Sequence, residues 1–327
     1  MEDGKKLSGQ PSPLSGVGNG EAEKEKISPF IYYEGMSYRK VKKRDSSGFE
    51  IQRMLINGTL TECHDQVMRI MGQYGYLNSY LLRTHLAHIS GGKHDYDGSH
   101  MRRVLKGMVQ TGLLIQYELL HMEAGEICGS PFLYALSNGG VRYLKRMGMH
   151  GVHPFLKIPF DIVKVLELVS YNQFHIMFLR QHGFSPAYMH DEYFGGCYQA
   201  FGVPNLYILK LPDGSRLCLY AISVRGGEGW TKKYLAQLRA VCRYLGENHI
   251  LDAAVLAVCE TEAQAMQCAR KKGCEADLKA LVVFYVTDTA VMEEDDVFGR
   301  LIDVRSEGDY CRRQTVRLQL RGEGMGE

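Results

Sequence analysis

The chain lacks the features that mark membrane-spanning, exported or disulfide-stabilised proteins. It has no run of about 18 apolar residues, and residues 1–20 contain no apolar stretch of the kind found in a leader peptide. Its nine cysteines form no C-x-x-C pair, which argues against the usual zinc and redox spacings and favours reduced thiols. We therefore expect a cytoplasmic protein without a membrane partner.

Signatures of cofactor binding are missing as well. The glycine-rich stretch 226–229 is not followed by the G-K-[ST] of a phosphate-binding loop, and the histidines between 85 and 100 lack the paired cysteines of a zinc site. We expect no cofactor and no bound metal. The net charge of +2 neither supports nor excludes nucleic acid, because a local basic patch is enough for binding.

Composition divides the chain into segments. With 327 residues, of which 45% are apolar, it exceeds one typical domain and has enough apolar surface for two cores. The N-terminal residues are rich in Gly, Ser, Pro, Glu and Lys, and Gly, His and Pro interrupt the periodic pattern around 148–159. The predicted segments are a disordered tail (1–28), a basic arm or linker (29–58), a first domain (59–150), a second domain (160–304) and a C-terminal tail (305–327).

Three amphipathic helices are predicted in the first part of the first domain. The first carries an apolar face that includes Val67 and Tyr74 and ends near Gly75. Asn78 is the predicted cap of the second helix, whose inward residues are Leu81, Leu82, His85, Leu86 and Ile89. Ser99 is the predicted cap of the third, whose apolar residues recur at helical spacing and are Met101, Val104, Leu105, Met108 and Val109.

Strand patterns follow these helices. The stretch Leu113 to Leu120 is predicted as one strand, His121 to Pro131 as a wing tip and Phe132 to Leu136 as the returning strand. A further helix, capped by Ser137 or Asn138, comes next. This order predicts an α+β winged helix-turn-helix, a fold typical of DNA-binding proteins.

The exposed face of the third helix is basic and contains no acidic residue from His100 to Gln110, which suits a DNA major groove. We therefore predict double-stranded DNA as the partner, with the acids Glu118, Glu123 and Glu126 disfavouring contact through the wing. The predicted contacts are His100, Arg102, Arg103, Lys106 and Gln110 on the third helix, Arg142 and Lys145 on the following helix, and Arg39, Lys40, Lys42 and Lys43 in the arm. The alternatives are a solvated or protein-docking surface for the helix and a solvated linker for the arm.

The second domain mixes strand and helix patterns. Two β-prone runs are joined by Pro-Asp-Gly, which is typical of a hairpin turn, and the later apolar runs are typical of strands buried on both faces. The predicted elements are helix 162–179, strands 206–210 and 216–224, helix 231–246, strand 253–258, helix 262–272 and strand 280–286. This order predicts an α/β domain with a mixed sheet.

That order resembles the core of restriction-endonuclease-like nucleases. A winged helix followed by such a core resembles the replication-relaxation family of Gram-positive plasmids and integrative conjugative elements. In the family pattern a Pro-Asp opens one strand and a Glu-x-Asp or Glu-x-Lys lies on the next, whereas this chain reads Val203-Pro204-Asn205 and Tyr220-Ala221-Ile222-Ser223. The resemblance implies that Asn205, Ala221 and Ser223 are degenerate nuclease positions.

The absence of the acidic residues of the family pattern predicts that the chain does not cleave DNA. Metal-dependent cleavage of DNA needs converging carboxylates on Mg²⁺, and the acids that remain nearby are Asp191, Glu192, Asp213 and Glu228. We expect a non-enzymatic DNA-binding protein of a mobile element that regulates replication or transcription, forms a homodimer and contacts a protein partner through its second domain. The alternatives are a nuclease with migrated acidic ligands and a winged-helix adaptor that binds only protein.

Overall fold

The computed structural model describes residues 30–42, 45–93, 97–123, 126–129, 132–149, 161–182, 205–293, 296–307 and 310–320. A short 3-10 helix covers Ala276–Leu278. The α-helices within these residues are α1 (Gly48–Ile56), α2 (Glu62–Tyr74), α3 (Ser79–Ile89), α4 (Gly98–Gln110), α5 (Asn138–Arg146), α6 (Ile162–His182), α7 (Trp230–Glu247), α8 (Glu262–Gly273) and α9 (Asp288–Glu293).

The strands form two separate sheets. They are β1 (Ser37–Val41), β2 (Leu77–Asn78), β3 (Leu114–Glu123), β4 (Glu126–Gly129), β5 (Leu133–Leu136), β6 (Leu206–Lys210), β7 (Arg216–Ser223), β8 (Ala253–Cys259), β9 (Val283–Thr287), β10 (Leu301–Glu307) and β11 (Tyr310–Val316). The α+β class and the mixed second sheet are thus as the sequence predicts.

The first sheet is antiparallel and is organised around β3. The strand order is β1-β3-β5-β2, and β4 pairs with the distal part of β3. Helices α2, α3 and α4 precede β3 in the chain, and their apolar faces are buried in one cluster with residues of β3 and β5. The backbone of α5 also lies close to the residue that precedes β3, since a Cβ atom on Gly140 would lie 2.4 Å from the carbonyl oxygen of Leu113.

Local capping signals account for several element boundaries. The side chain of Asn78 accepts the N–H of Leu81 at 2.8 Å and caps α3. Gly75, with φ of 77°, ends α2 in the left-handed region that favours glycine. Ser137 accepts the N–H of Gly140 at 3.0 Å and caps α5. These boundaries confirm the predictions, and Ser137 is the residue that caps α5.

Two predictions about α3 and α4 are wrong. The cap of α4 is Asp97, whose carboxylate accepts the N–H of His100 at 2.6 Å and the hydroxyl of Ser99 at 2.7 Å. A carboxylate is a strong acceptor for the free N–H groups of a first turn, so the helix begins at Gly98. Ile89 is 47% exposed because α3 ends there and the chain turns through Gly91, with φ of 58°.

The predicted arm and wing tip are more regular than expected. Within the arm, β1 pairs with β3 over five residues and α1 follows it. Within the predicted wing tip, β3 continues to Glu123 and pairs with β4 as a hairpin. Pairing satisfies the backbone N–H and carbonyl groups that an extended loop would leave to solvent.

The second sheet has a parallel centre and antiparallel margins. Its order is β11-β10-β9-β8-β7-β6, with β7, β8 and β9 parallel and the remaining pairs antiparallel. The hairpin of β6 and β7 turns at Asp213, whose carboxylate accepts the N–H of Ser215 at 2.9 Å and its hydroxyl at 2.6 Å. Asp213 therefore belongs to the turn, as predicted.

The C-terminal tail predicted at 305–327 is wrong for its first half. The strands β10 and β11 extend the second sheet beyond β9, with Ile302 opposite Tyr285 and Leu301 opposite Val316. The physical reason is that β9 would otherwise form an unpaired edge, and β10 supplies the missing backbone partners. Residues 321–327 lie outside the described part of the chain.

Helix α6 belongs to the core of both halves. Its residues from Val165 to Leu179 are all buried, and its apolar side chains lie in one cluster with those of α2, α3 and β7. The amide of Asn172 donates to the backbone oxygens of Tyr74 and Tyr76 at 2.9 and 3.0 Å. On the opposite face of the second sheet, α7 and α8 cover a second cluster. None of the described helices is both long and apolar enough to span a membrane.

Candidate functional site

The basic face of α4 is held outward by the packing of its other face. Met101, Leu105, Met108 and Val109 are buried, which fixes the rotation of the helix about its axis. The opposite face exposes Arg102, Arg103, Lys106 and Gln110, as the sequence predicts, while His100 is half-buried.

The cations on this face are not neutralised within the described part of the fold. Arg102 donates its Nε–H to the carbonyl oxygen of Gly98 at 3.0 Å, and its remaining guanidinium donors have no described side-chain acceptor. No described carboxylate forms an ion pair with Arg102, Arg103 or Lys106. Asp97 caps the helix, and its pKa is lowered chiefly by the hydrogen bond from the backbone of His100 and to a smaller extent by the charge of Arg103. The face therefore presents three positive charges that form no ion pair with a carboxylate of the described residues.

A glycine lies among these cations. Gly107 follows Lys106 on α4, and a Cβ atom placed on it would meet no atom within 4 Å. Glycine in a helix interior is unfavourable relative to alanine by roughly 0.5–1 kcal/mol. No packing requirement for the glycine exists in the described structure, and its absence of a side chain leaves room for close approach of another molecule to the helix backbone.

The two predicted DNA contacts on α5 differ in whether their side chains form hydrogen bonds within the chain. Arg142 is exposed, but its Nη1 donates to the carbonyl oxygen of Ser46 at 2.8 Å and braces α5 against the segment before α1. Lys145 is exposed and has no described ion-pair partner. Of the two, Lys145 is the one free to reach a ligand without breaking an internal hydrogen bond.

Three of the predicted contacts in the basic arm already have partners within the chain, although they lie at its surface. Arg39 donates its Nε–H to Glu118 at 2.6 Å, and the ammonium group of Lys42 lies 2.9 Å from the Asp45 carboxylate. The ammonium group of Lys40 lies 5.8 Å from the centre of the Tyr117 ring, and burial lowers its pKa. Lys43 lies outside the described residues. The arm is thus part of a sheet edge, and two of its charges are already compensated.

Asn205, Ala221 and Ser223, which the sequence analysis predicts to be degenerate nuclease positions, lie at the junction of β6 and β7. Asn205 precedes β6, and its carbonyl oxygen accepts the N–H of Ala221 on β7 at 2.9 Å. Asn205, Ala221 and Ser223 are all buried, and the Ser223 hydroxyl has no described hydrogen-bond partner. None of the three supplies a carboxylate.

Charges that the sequence analysis missed lie at the carboxyl ends of the parallel strands. Arg225 follows β7 and Asp288 follows β9, and their side chains are fully buried with Nη2 and Oδ1 2.7 Å apart. Arg225 also donates to the carbonyl oxygen of Val224 at 2.7 Å, and Asp288 accepts the hydroxyl of Ser170 at 2.7 Å. The Nε of Arg225 has no described partner. The sequence signal that could have identified Arg225 and Asp288 is a charged residue placed directly after an apolar strand.

Two further carboxylates lie close to this pair. Glu260 follows β8 and accepts the backbone N–H of Tyr32 at 2.7 Å and that of Gly226 at 3.2 Å. Glu167 on α6 accepts two hydrogen bonds from Lys233 on α7, at 2.6 and 2.7 Å. Burial raises the pKa of both carboxyl groups, and the neighbouring cations oppose that shift. Each carboxylate is therefore held by donors of the chain itself.

The remaining acids named in the sequence analysis do not gather around Asn205, Ala221 and Ser223. Asp213 is exposed in its turn and Glu228 is exposed before α7, while Asp191 and Glu192 lie outside the described residues. Within the described ranges, no three His, Cys, Asp or Glu side chains are placed to share a metal ion.

Comparison with known proteins identifies no relative. The chain matches no protein-family model, no curated protein and no solved structure.

Proposed function

We propose that the chain is a DNA-binding protein that reads duplex DNA through α4. The arrangement of α2, α3 and α4 before the sheet of β3 and β5 supports a winged helix-turn-helix, with α4 as the recognition helix and the β3–β4 hairpin as an extended wing. The observation that carries the proposal is the exposed face of α4, where Arg102, Arg103 and Lys106 lie without described carboxylate partners. A helix of this size fits the major groove, and such a face suits phosphates and guanine edges.

The second half is proposed to be a nuclease-like scaffold that no longer cleaves DNA. Support comes from the buried Asn205, Ala221 and Ser223 at the positions that the resemblance assigns to acidic ligands. The nearby Asp288 and Glu167 are occupied by Arg225 and Lys233, which removes them as available metal ligands in this arrangement. We further propose a place in the replication-relaxation family and a regulatory role on a mobile element.

Joint replacement of Arg102, Arg103 and Lys106 by alanine tests the DNA-binding proposal. Each base contact contributes about 1–3 kcal/mol, so loss of the three side chains should weaken duplex binding roughly a hundredfold or more at fixed salt. The salt dependence should also become shallower, by about one unit of slope for each lost phosphate contact. Fluorescence anisotropy of a labelled duplex at several salt concentrations measures both quantities.

A matched control distinguishes the loss of contacts made by α4 from the effect of lowering the net charge of the protein. Lys210, Arg243 and Lys279 are exposed on the second half, and their joint replacement by alanine removes the same total charge. This control should bind duplex DNA with nearly the parental affinity. If both triple variants lost affinity equally, or if neither did, α4 would not be the DNA-reading element and the adaptor alternative would gain support.

A further inference from the structure

A second cleft lies on the far half of the molecule, between the start of α7 and the end of α8. It has a volume of about 480 Å³ and is lined by Trp230, Thr231, Gln267, Arg270, Lys271 and Cys274. It lies on the side of the second sheet that α7 and α8 cover, away from the degenerate nuclease positions on the hairpin of β6 and β7. No residue of α4 contributes to it.

The cleft combines an aromatic wall with exposed cations. Trp230, the only tryptophan of the chain, is half-buried against the second core cluster and also lines the cleft. Arg270 and Lys271 are exposed on the last turns of α8, and no described carboxylate pairs with either. Basic residues in a last turn also favour the helix dipole, but that role does not require an aromatic partner across a cleft.

Three acidic residues lie close in sequence to the residues that line the cleft. Glu275 and Asp277 follow α8, and Arg239 on α7 forms ion pairs with both, at 2.9 Å from its Nε to Asp277. Glu228 is exposed two residues before Trp230, and Lys232 is exposed two residues after it. With Arg270 and Lys271 included, the cations outnumber the carboxylates, so the local charge beside Trp230 is positive.

We propose that this cleft binds one unpaired nucleotide of a single strand, with the base against the indole of Trp230 and the phosphates at Arg270 and Lys271. An aromatic side chain recessed in a cleft reaches the face of a base only when that base is unstacked from a duplex, and aromatic stacking together with cations is the usual chemistry of single-strand binding. The inference rests on the proposed DNA-binding function and adds a second, strand-selective contact to it. Single-stranded DNA and RNA share this chemistry.

The lone tryptophan makes the proposal directly measurable. A titration of the full chain with oligothymidylate, followed by tryptophan emission, should quench Trp230 saturably and less strongly at higher salt. A parallel titration with oligouridylate tells which nucleic acid is preferred. A blunt duplex should bind without quenching, because its bases stay stacked. Absence of quenching by both single strands, or equal quenching by the duplex, would overturn the proposal.

Substitutions at Arg270, Lys271 and Trp230 test whether these residues bind the single strand. Joint replacement of Arg270 and Lys271 by glutamine should weaken single-strand binding at least about fivefold, whereas the same change at Lys210 and Arg243 should leave it unchanged. Trp230→Phe should retain binding of a labelled oligonucleotide, measured by anisotropy, and Trp230→Leu should lose at least about fivefold. Unchanged affinity in both Trp230→Leu and the Arg270 and Lys271 variant would show that the strand binds elsewhere.

Failure of this proposal is distinguishable from failure of the proposed function. The variant with alanine at Arg102, Arg103 and Lys106 should lose duplex binding yet keep the quenching of Trp230 by single strands. Duplex binding that depends on α4, combined with no quenching, overturns only the cleft. If single strands quench Trp230 but the α4 variant keeps its duplex binding, the proposal for the cleft is supported and only the proposal that α4 binds duplex DNA is overturned.

Discussion

Neutralising Asp288 should destabilise the protein strongly, because it leaves the charge of Arg225 buried without its partner. Both side chains are fully buried and their charged atoms lie 2.7 Å apart. The Nε–H of Arg225 already lacks a described acceptor, so few acceptors would remain to compensate the guanidinium. Removal of one member of such a pair costs about 3–5 kcal/mol. We expect Asp288→Asn, which keeps the shape and the acceptor for Ser170, to lower the free energy of unfolding by about 3 kcal/mol.

The double variant distinguishes an uncompensated charge from lost packing. Arg225→Met alone should be costly for the converse reason, whereas Arg225→Met combined with Asp288→Asn removes both charges. The combined loss should be smaller than the sum of the single losses by about 2 kcal/mol or more. Urea denaturation followed by circular dichroism measures all four proteins.

An exposed pair provides the control for this experiment. Asp277 forms an ion pair with Arg239 at the surface, so Asp277→Asn should leave the denaturation midpoint essentially unchanged. Additive losses in the double variant, or an Asp288→Asn effect as small as that of Asp277→Asn, would refute the view that Arg225 depends on Asp288.

Three further outcomes are expected. Burial lowers the pKa of His85 to about 4 and of His175 to about 3, so below pH 6.5 the unfolded chain binds protons more readily than the folded chain. The free energy of unfolding should therefore fall as the pH drops from about 6.5 towards 4, by up to ~1.4 kcal/mol per pH unit for each histidine. His175→Gln should make this pH dependence shallower in denaturant titrations. Gly140→Ala should cost about 1–3 kcal/mol, since its Cβ would lie 2.4 Å from the oxygen of Leu113, whereas Gly246→Ala in open space on α7 should be neutral or slightly stabilising in thermal melts. Pure protein incubated with Mg²⁺ or Mn²⁺ should leave supercoiled, linear and single-stranded DNA intact on gels, and cleavage lost on replacement of Asp191 or Glu192 would instead favour the nuclease alternative.

Sequence periodicity was sufficient for elements whose signals are local. The spacing of Met101, Leu105 and Met108 predicted both α4 and its exposed basic face, and Asn78 marked the start of α3. These features depend on residues three or four positions apart, which a sequence displays directly. Even here the sequence analysis assigned the cap to Ser99, whereas the cap is Asp97, because both residue types are favourable caps.

Pairings between distant residues were not predictable in the same way. Arg39 meets Glu118 only because β1 pairs with β3, and Arg225 meets Asp288 across three parallel strands. No local pattern encodes either partner, so the sequence predicts a DNA-contacting arm or a solvated linker in place of β1 and does not predict the buried pair. The cleft at Trp230 has the same origin, since residues of two helices form it.

The position of α6 determines how the protein unfolds. Its buried side chains complete the hydrophobic clusters of α2 and α3 on one side and of β7 on the other, so a fragment ending before Ile162 would expose apolar surface that it cannot cover alone. The two sheets should therefore melt in one cooperative transition and not in two steps. Denatured and native chains would then coexist without a half-folded species. Recombination that exchanged the first half between proteins would have to carry α6 with it.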